Sequence, residues 1–222
     1  MPDLIKIPSA AAEMQARFER PCIGFIGNDR PRAVEAIVSA LLPFNFRLSN
    51  TEIVTTGSLA DHKVIFRIPE RGITFQFGAE EYRFTKDGSN WETANDDIQV
   101  LLAAEQALLE GSGVKVNRCV VTVAVQLQLL ARPREEVLAP FFPEPLRTCL
   151  PEGSADTFAA HLKWATGDIL IDFSTMFANG IFLRFSSQFD GHPPLPEILR
   201  KVRSDEDAIF AVLGVQEVSM EQ

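Results

Sequence analysis

The chain has 222 residues, enough for one large domain or two small lobes around a sizeable core. Apolar residues make up 46% and charged residues 23%, an ordinary globular balance that excludes disorder, collagen and coiled coil. Thirty acids against 21 bases give a formal charge of −9, a field that repels polyanions, so neither nucleic acid nor membrane is expected as a partner.

Residues Met1–Lys6 lack the basic segment and apolar core of a secretory leader. Cys22, Cys119 and Cys149 are odd in number and widely spaced, which argues against a disulfide framework. The expected compartment is therefore the cytoplasm. Seventeen Phe stand against one Tyr and two Trp, so most aromatic area is expected in a core rather than at a binding surface.

In chain order, Cys22–Gly27 reads as a short buried strand. Pro31–Leu42 follows as a helix, with Val34, Ile37, Val38, Leu41 and Leu42 on one stripe, Asp29 at its start and Pro43 at its end. Phe44–Thr55 reads as an irregular strand. His62–Pro69 alternates, Glu70-Arg71-Gly72 turns, and Ile73, Phe75, Phe77, Tyr82 and Phe84 continue an antiparallel meander with one buried face. Asp96–Glu110 is a helix carrying Ile98, Leu101, Leu102, Leu108 and Leu109, capped by Asn95 and ended by Gly111.

Val116–Leu130 has the cleanest alternation of all, with Cys119, Val121, Val123, Val125, Leu127 and Leu129 on one side. Five prolines then crowd residues 133–151, leaving room for one short helix at Glu135–Ala139. Strands resume at Thr157–Ala165 and Asp168–Phe177. Asn179-Gly180 reads as a hairpin turn. The last helix follows Pro196, is capped or restarted at Ser204, and closes at Gly214.

Strands in runs with helices between them predict an α+β fold, its antiparallel sheet or sheets built by two meander-plus-helix halves packed as one body. The expected organisation is an N-terminal lobe (1–131), a Pro-rich connection (132–155) and a C-terminal lobe (156–222).

No catalytic grouping stands out. Gly24–Gly27 before the first helix lacks both the dinucleotide glycine spacing and a Gly-Lys-Ser/Thr. Ser112, between Gly111 and Gly113, lacks the nucleophile pentad. His62, His161 and His192 are isolated and read as lone histidines, so no metal and no cofactor is expected. Asp168 and Asp172 lie ~13 Å apart along a strand, beyond the ~5–9.5 Å of glycosidase pairs.

The leading expectation is a non-catalytic protein-binding or assembly protein, with self-association among its modes. Phe141 and Phe142, flanked by prolines, are its anchors. The alternative is a carrier or enzyme with a small apolar ligand in a Phe-lined pocket, Trp91, Trp164, Arg118 and Arg184 standing at its mouth.

Overall fold

A computed structural model describes residues 3–55, 57–58, 61–88, 94–110, 112–141 and 159–218. The elements are β1 (Asp3–Phe18), α1 (Arg30–Leu41), β2 (Thr51–Val54), β3 (Lys63–Ile68), β4 (Ile73–Gly78), β5 (Glu81–Asp87), α2 (Ala94–Leu109) and β6 (Val116–Leu129). They continue with α3 (Arg134–Leu138), β7 (Ala159–Trp164), β8 (Gly167–Phe173), β9 (Gly180–Asp190), α4 (Leu195–Leu213) and β10 (Val215–Glu217). The strands join in the order β2-β3-β4-β5-β1-β6-β9-β8-β7, with β10 added in parallel to the start of β1. The class is α+β with a large antiparallel sheet. No described helix is long and apolar enough to cross a membrane.

Contacts divide the chain into two compact units. Unit 1 holds Met1–Ala10, Thr122–Ser187 and Pro194–Gln222; unit 2 holds Ala11–Val121 and Gln188–Pro193.

In unit 2 the meander β3–β4–β5 forms as its alternation demands, turning at Gly72, whose φ of 62° favours glycine. Phe66 pairs with Phe75, and Phe75 with Phe84, so large rings stack in rows across the strands. Phe66 lies 6.1 Å from Phe77, Phe77 lies 5.6 Å from Phe25, and Phe75 lies 5.9 Å from Tyr82. Each such buried ring is worth about 1.5–3 kcal/mol of transfer free energy. These rings pack against one another in the interior of the unit. Unit 1 repeats this logic with aliphatic residues: Val125, Leu127, Ile171, Leu183 and Ile198 are all buried.

Several expected elements differ. Cys22–Gly27 is a 3-10 turn (Ile23–Ile26) in which only Phe25 and Ile26 are buried; the Cys22 amide donates to the Ala79 carbonyl at 2.6 Å, while the Gly27 amide turns back on Ile23 and Gly24. Phe44–Thr55 is irregular, with 3-10 turns at Leu42–Phe44 and Leu48–Asn50 and strand only at Thr51–Val54. The buried stripe of α2 is Asp97, Val100, Leu101, Ala104, Glu105 and Leu108, rotated from the expected one so that two acids take interior places. Asp97 is compensated by Arg71 at 3.5 Å and Lys86 at 3.7 Å. The expected cap Asn95 has its side chain outside the described residues, as Gly111 lies outside them altogether.

The long strand β1 has no counterpart among the expected elements. Its buried positions shift from odd (Asp3, Ile5) to even (Ala10, Met14, Ala16, Phe18), which hides the alternation. Helix α4 runs unbroken through Ser204 and ends on Gly214 at φ 64°. Asn179-Gly180 is not a two-residue hairpin turn, for neither residue has the positive φ that such a turn requires. The Asn179 side chain instead ties down the chain after β6. Its amide donates to the carbonyls of Leu129 (3.3 Å) and Arg132 (3.0 Å), while its oxygen accepts from the Arg134 amide (2.8 Å).

Candidate functional site

Alternation along β1, β4 and β5 sends Met14, Phe75, Phe77, Tyr82 and Phe84 into the core and polar residues to the opposite face. The register sets Gln15 beside Arg83 and Arg83 beside Gln76, an amide–guanidinium–amide row across three adjacent strands. This row lies in an open groove of about 760 Å³, to which Arg17, Lys63, Asp61 and Glu81 also contribute. Glu81 organises the groove. It accepts from Gln15, sits 3.0 Å from Arg83 and 3.9 Å from Arg17, while Arg83 also reaches Glu13 at 3.5 Å. Asp61 accepts from the Ser58 hydroxyl (2.9 Å) and amide (3.0 Å), and these bonds hold its carboxyl below the usual range. Among the described residues, Lys63 makes no ion pair within 4.0 Å.

A second cluster lies on the other side of β5. Tyr82, the one tyrosine of the chain, is wholly buried and donates its hydroxyl to Glu105 of α2. His192, after β9, places Nε2 at 2.8 Å from the same carboxylate oxygen and 3.0 Å from the Tyr82 oxygen. The expectation that His192 is a lone histidine therefore fails. Burial, then the Glu105 charge and hydrogen bond, drive the phenol far above its ordinary value. The hydrogen bond from His192 to Glu105 raises the imidazole pKa, against the opposing effect of burial. Cys119 lies behind the cluster on β6, its thiol pushed up to about 12 by burial and by Glu105, so it is an inert packing group. With its phenol buried and protonated, Tyr82 is no nucleophile.

In unit 1, Ser186 donates to Asp168 (2.9 Å), and His161 approaches the same carboxylate at 3.7 Å. The acid stands between hydroxyl and imidazole, so nothing activates Ser186 and the group is not a catalytic triad. Among the described residues, no three His, Cys, Asp or Glu side chains converge as metal ligands would.

Of the residues singled out in the sequence, Phe141 is half-buried at the end of a 3-10 turn (Ala139–Phe141), while Phe142, Trp91 and Cys149 lie outside the described residues. Trp164 and Arg184 are both exposed but do not flank one pocket. Trp164 pairs with Gly167 on the core-facing side, whereas Arg184 pairs with Leu170 on the opposite face. Arg118 is exposed on β6 and bonded to the Gln188 side chain.

The groove and the buried cluster are both absent from the sequence reading. A signal for the cluster did exist: Glu105 interrupts the apolar stripe of its helix, and Tyr82 carries the one phenol among 17 Phe.

No protein-family model matches the sequence, and none of the curated proteins matches it. Among solved structures the chain is similar to the rolling circle replication initiator protein from Geobacillus stearothermophilus, at 7% identity over 91% of this chain and 80% of that one, with a TM-score of 0.38. A likeness at this level assigns no function. Two expectations are nevertheless corrected: the protein-binding, assembly or ligand-carrier role, and the restriction to protein partners with nucleic acid excluded. The exclusion rested on net charge, a property of the whole chain. A ligand meets the local field instead, and in the groove Arg17, Lys63 and Arg83 offset Asp61, Glu80 and Glu81.

Proposed function

We propose that unit 2 binds single-stranded nucleic acid along the groove on the polar face of its sheet. The observation that carries this reading is the row Gln15–Arg83–Gln76. Amide side chains offer paired donor and acceptor groups suited to base edges, and the guanidinium between them offers a planar donor fork for phosphate. Arg17 and Lys63 supply two further phosphate contacts beside it. An open sheet face suits an unpaired strand, whose bases are free to turn toward side chains. The formal charge of −9 opposes the approach of any polyanion, so binding is expected to be weak and strongly salt-dependent.

The test is fluorescence anisotropy of labelled single-stranded DNA and RNA 12-mers between 50 and 200 mM salt. Three phosphate contacts give a slope of log K against log salt of about −2, and Arg83→Gln or Lys63→Gln each lower its magnitude by about 0.7. Absence of binding at ~100 µM protein in low salt, or binding indifferent to both substitutions, rules the reading out.

A further inference from the structure

Residues Gln188–Pro193, between β9 and α4, belong to unit 2 and are held there at three points. Gln188 accepts from Arg118, the Gly191 amide donates to the Asn117 carbonyl at 2.7 Å, and His192 sits on Glu105 and Tyr82. Neither of the first two changes charge near neutral pH. Histidine does.

The hydrogen bonds define where the ring's titrating proton sits. Tyr82 uses its hydrogen on Glu105, so the contact between its oxygen and His192 needs a proton on Nε2, which the contact to Glu105 needs as well. Nε2 therefore stays protonated, and the proton gained or lost is the one on Nδ1. The contacts of Nε2 to Glu105 and Tyr82 persist through the titration, while the attraction between the imidazolium and the buried carboxylate, together with the ring's bond to its own backbone, comes and goes. The titratable groups that face the ring are Glu105 from α2 and Tyr82 from β5, with Cys119 of β6 behind them; its own segment adds only the exposed Asp190.

We propose that His192 is a pH-sensitive clasp, which fastens the segment Gln188–Pro193 to α2 and β5 when charged and loosens it when neutral. This inference does not depend on the groove reading. Its sign agrees with the raised imidazole pKa: the attachment is complete below about 6.5 and is lost as pH rises through the folded value.

Amide hydrogen exchange on the intact chain, corrected for the intrinsic pH dependence of exchange, reads the clasp directly. Protection of the Gly191 amide, which is bonded to the Asn117 carbonyl, is expected to be several-fold higher at pH 5.5 than at pH 8, with the β3–β4 hairpin unchanged relative to the whole. In Glu105→Gln and His192→Gln this difference disappears. The imidazole proton resonance of His192 in the unaltered chain should titrate above 6.5, and closer to it in Glu105→Gln. Equal protection at the two pH values, a difference that survives His192→Gln, or a His192 midpoint at or below 6.5 overturns the proposal; the first and last need no variant to fold.

Discussion

Tyr82→Phe isolates the hydrogen bond at the centre of the buried cluster. The ring stays in place, packed 6.1 Å from Phe18 and 5.9 Å from Phe75, and only a wholly buried hydroxyl is removed. That hydroxyl donates to a carboxylate, and a bond to a charged partner is worth about 1.5–3 kcal/mol. Glu105 retains His192 as a donor after the change, so it is not orphaned and the loss falls at about 1.5–2 kcal/mol. For a chain of this size that is about 3–8 °C in Tm. Urea unfolding followed by circular dichroism at pH 7 should show a lower midpoint at unchanged m. The variant also changes the alkaline limb. The folded state holds the phenol protonated, so in the unaltered chain stability is intact below about pH 10 and falls as pH rises beyond it. Tyr82→Phe has no such fall from this group. An unchanged urea midpoint would refute the assignment of a bond from Tyr82 to Glu105.

Two further outcomes follow from polar groups in unit 1, one buried and one half-buried. Glu206 of α4 is almost wholly buried, one of its carboxyl oxygens has no partner, and burial, against partial relief from Arg203, pushes its pKa up to about 7. The folded chain thus keeps a proton that the unfolded chain loses above about pH 4.5, and stability falls as pH rises across that window. Glu206→Gln removes this dependence and is expected to exceed the parent at pH 8 by on the order of 3 kcal/mol, read from urea midpoints at pH 5.5 and 8; parallel falls in both proteins would discount it. Asn179→Asp replaces an amide that donates to two carbonyls with an oxygen facing both, and should cost about 1–3 kcal/mol. Asn179→Ala should cost less, so equal melting points for the two variants would remove the tying role given to this side chain.

The parts of the fold that the sequence states most clearly are those in which one face is apolar and the other polar over several residues. β3, β4, β5 and β6 are of this kind, because a period of two leaves one register that buries the apolar set. Helix α1 is legible for the same reason at a period of 3.6. β1 is not, since its buried set changes parity between Ile5 and Ala10 and consists partly of alanines that carry little pattern. Asn179-Gly180 misleads because a local turn preference yields to three hydrogen bonds with backbone far along the chain.

The candidate sites divide along the same line. That β4 and β5 present Gln76 and Arg83 on their polar face follows from alternation alone. Which strand lies next to β5 does not, and the answer, β1 with Gln15, creates the groove. Tyr82, Glu105 and His192 are likewise unremarkable as single letters; the first and last are 110 positions apart. Local periodicity thus determines which residues turn inward, since it depends only on the geometry of one strand or helix. The partners that those residues meet were decided by tertiary pairing, where the burial of the whole apolar surface selects the neighbours and each polar group must be satisfied by whatever arrives beside it.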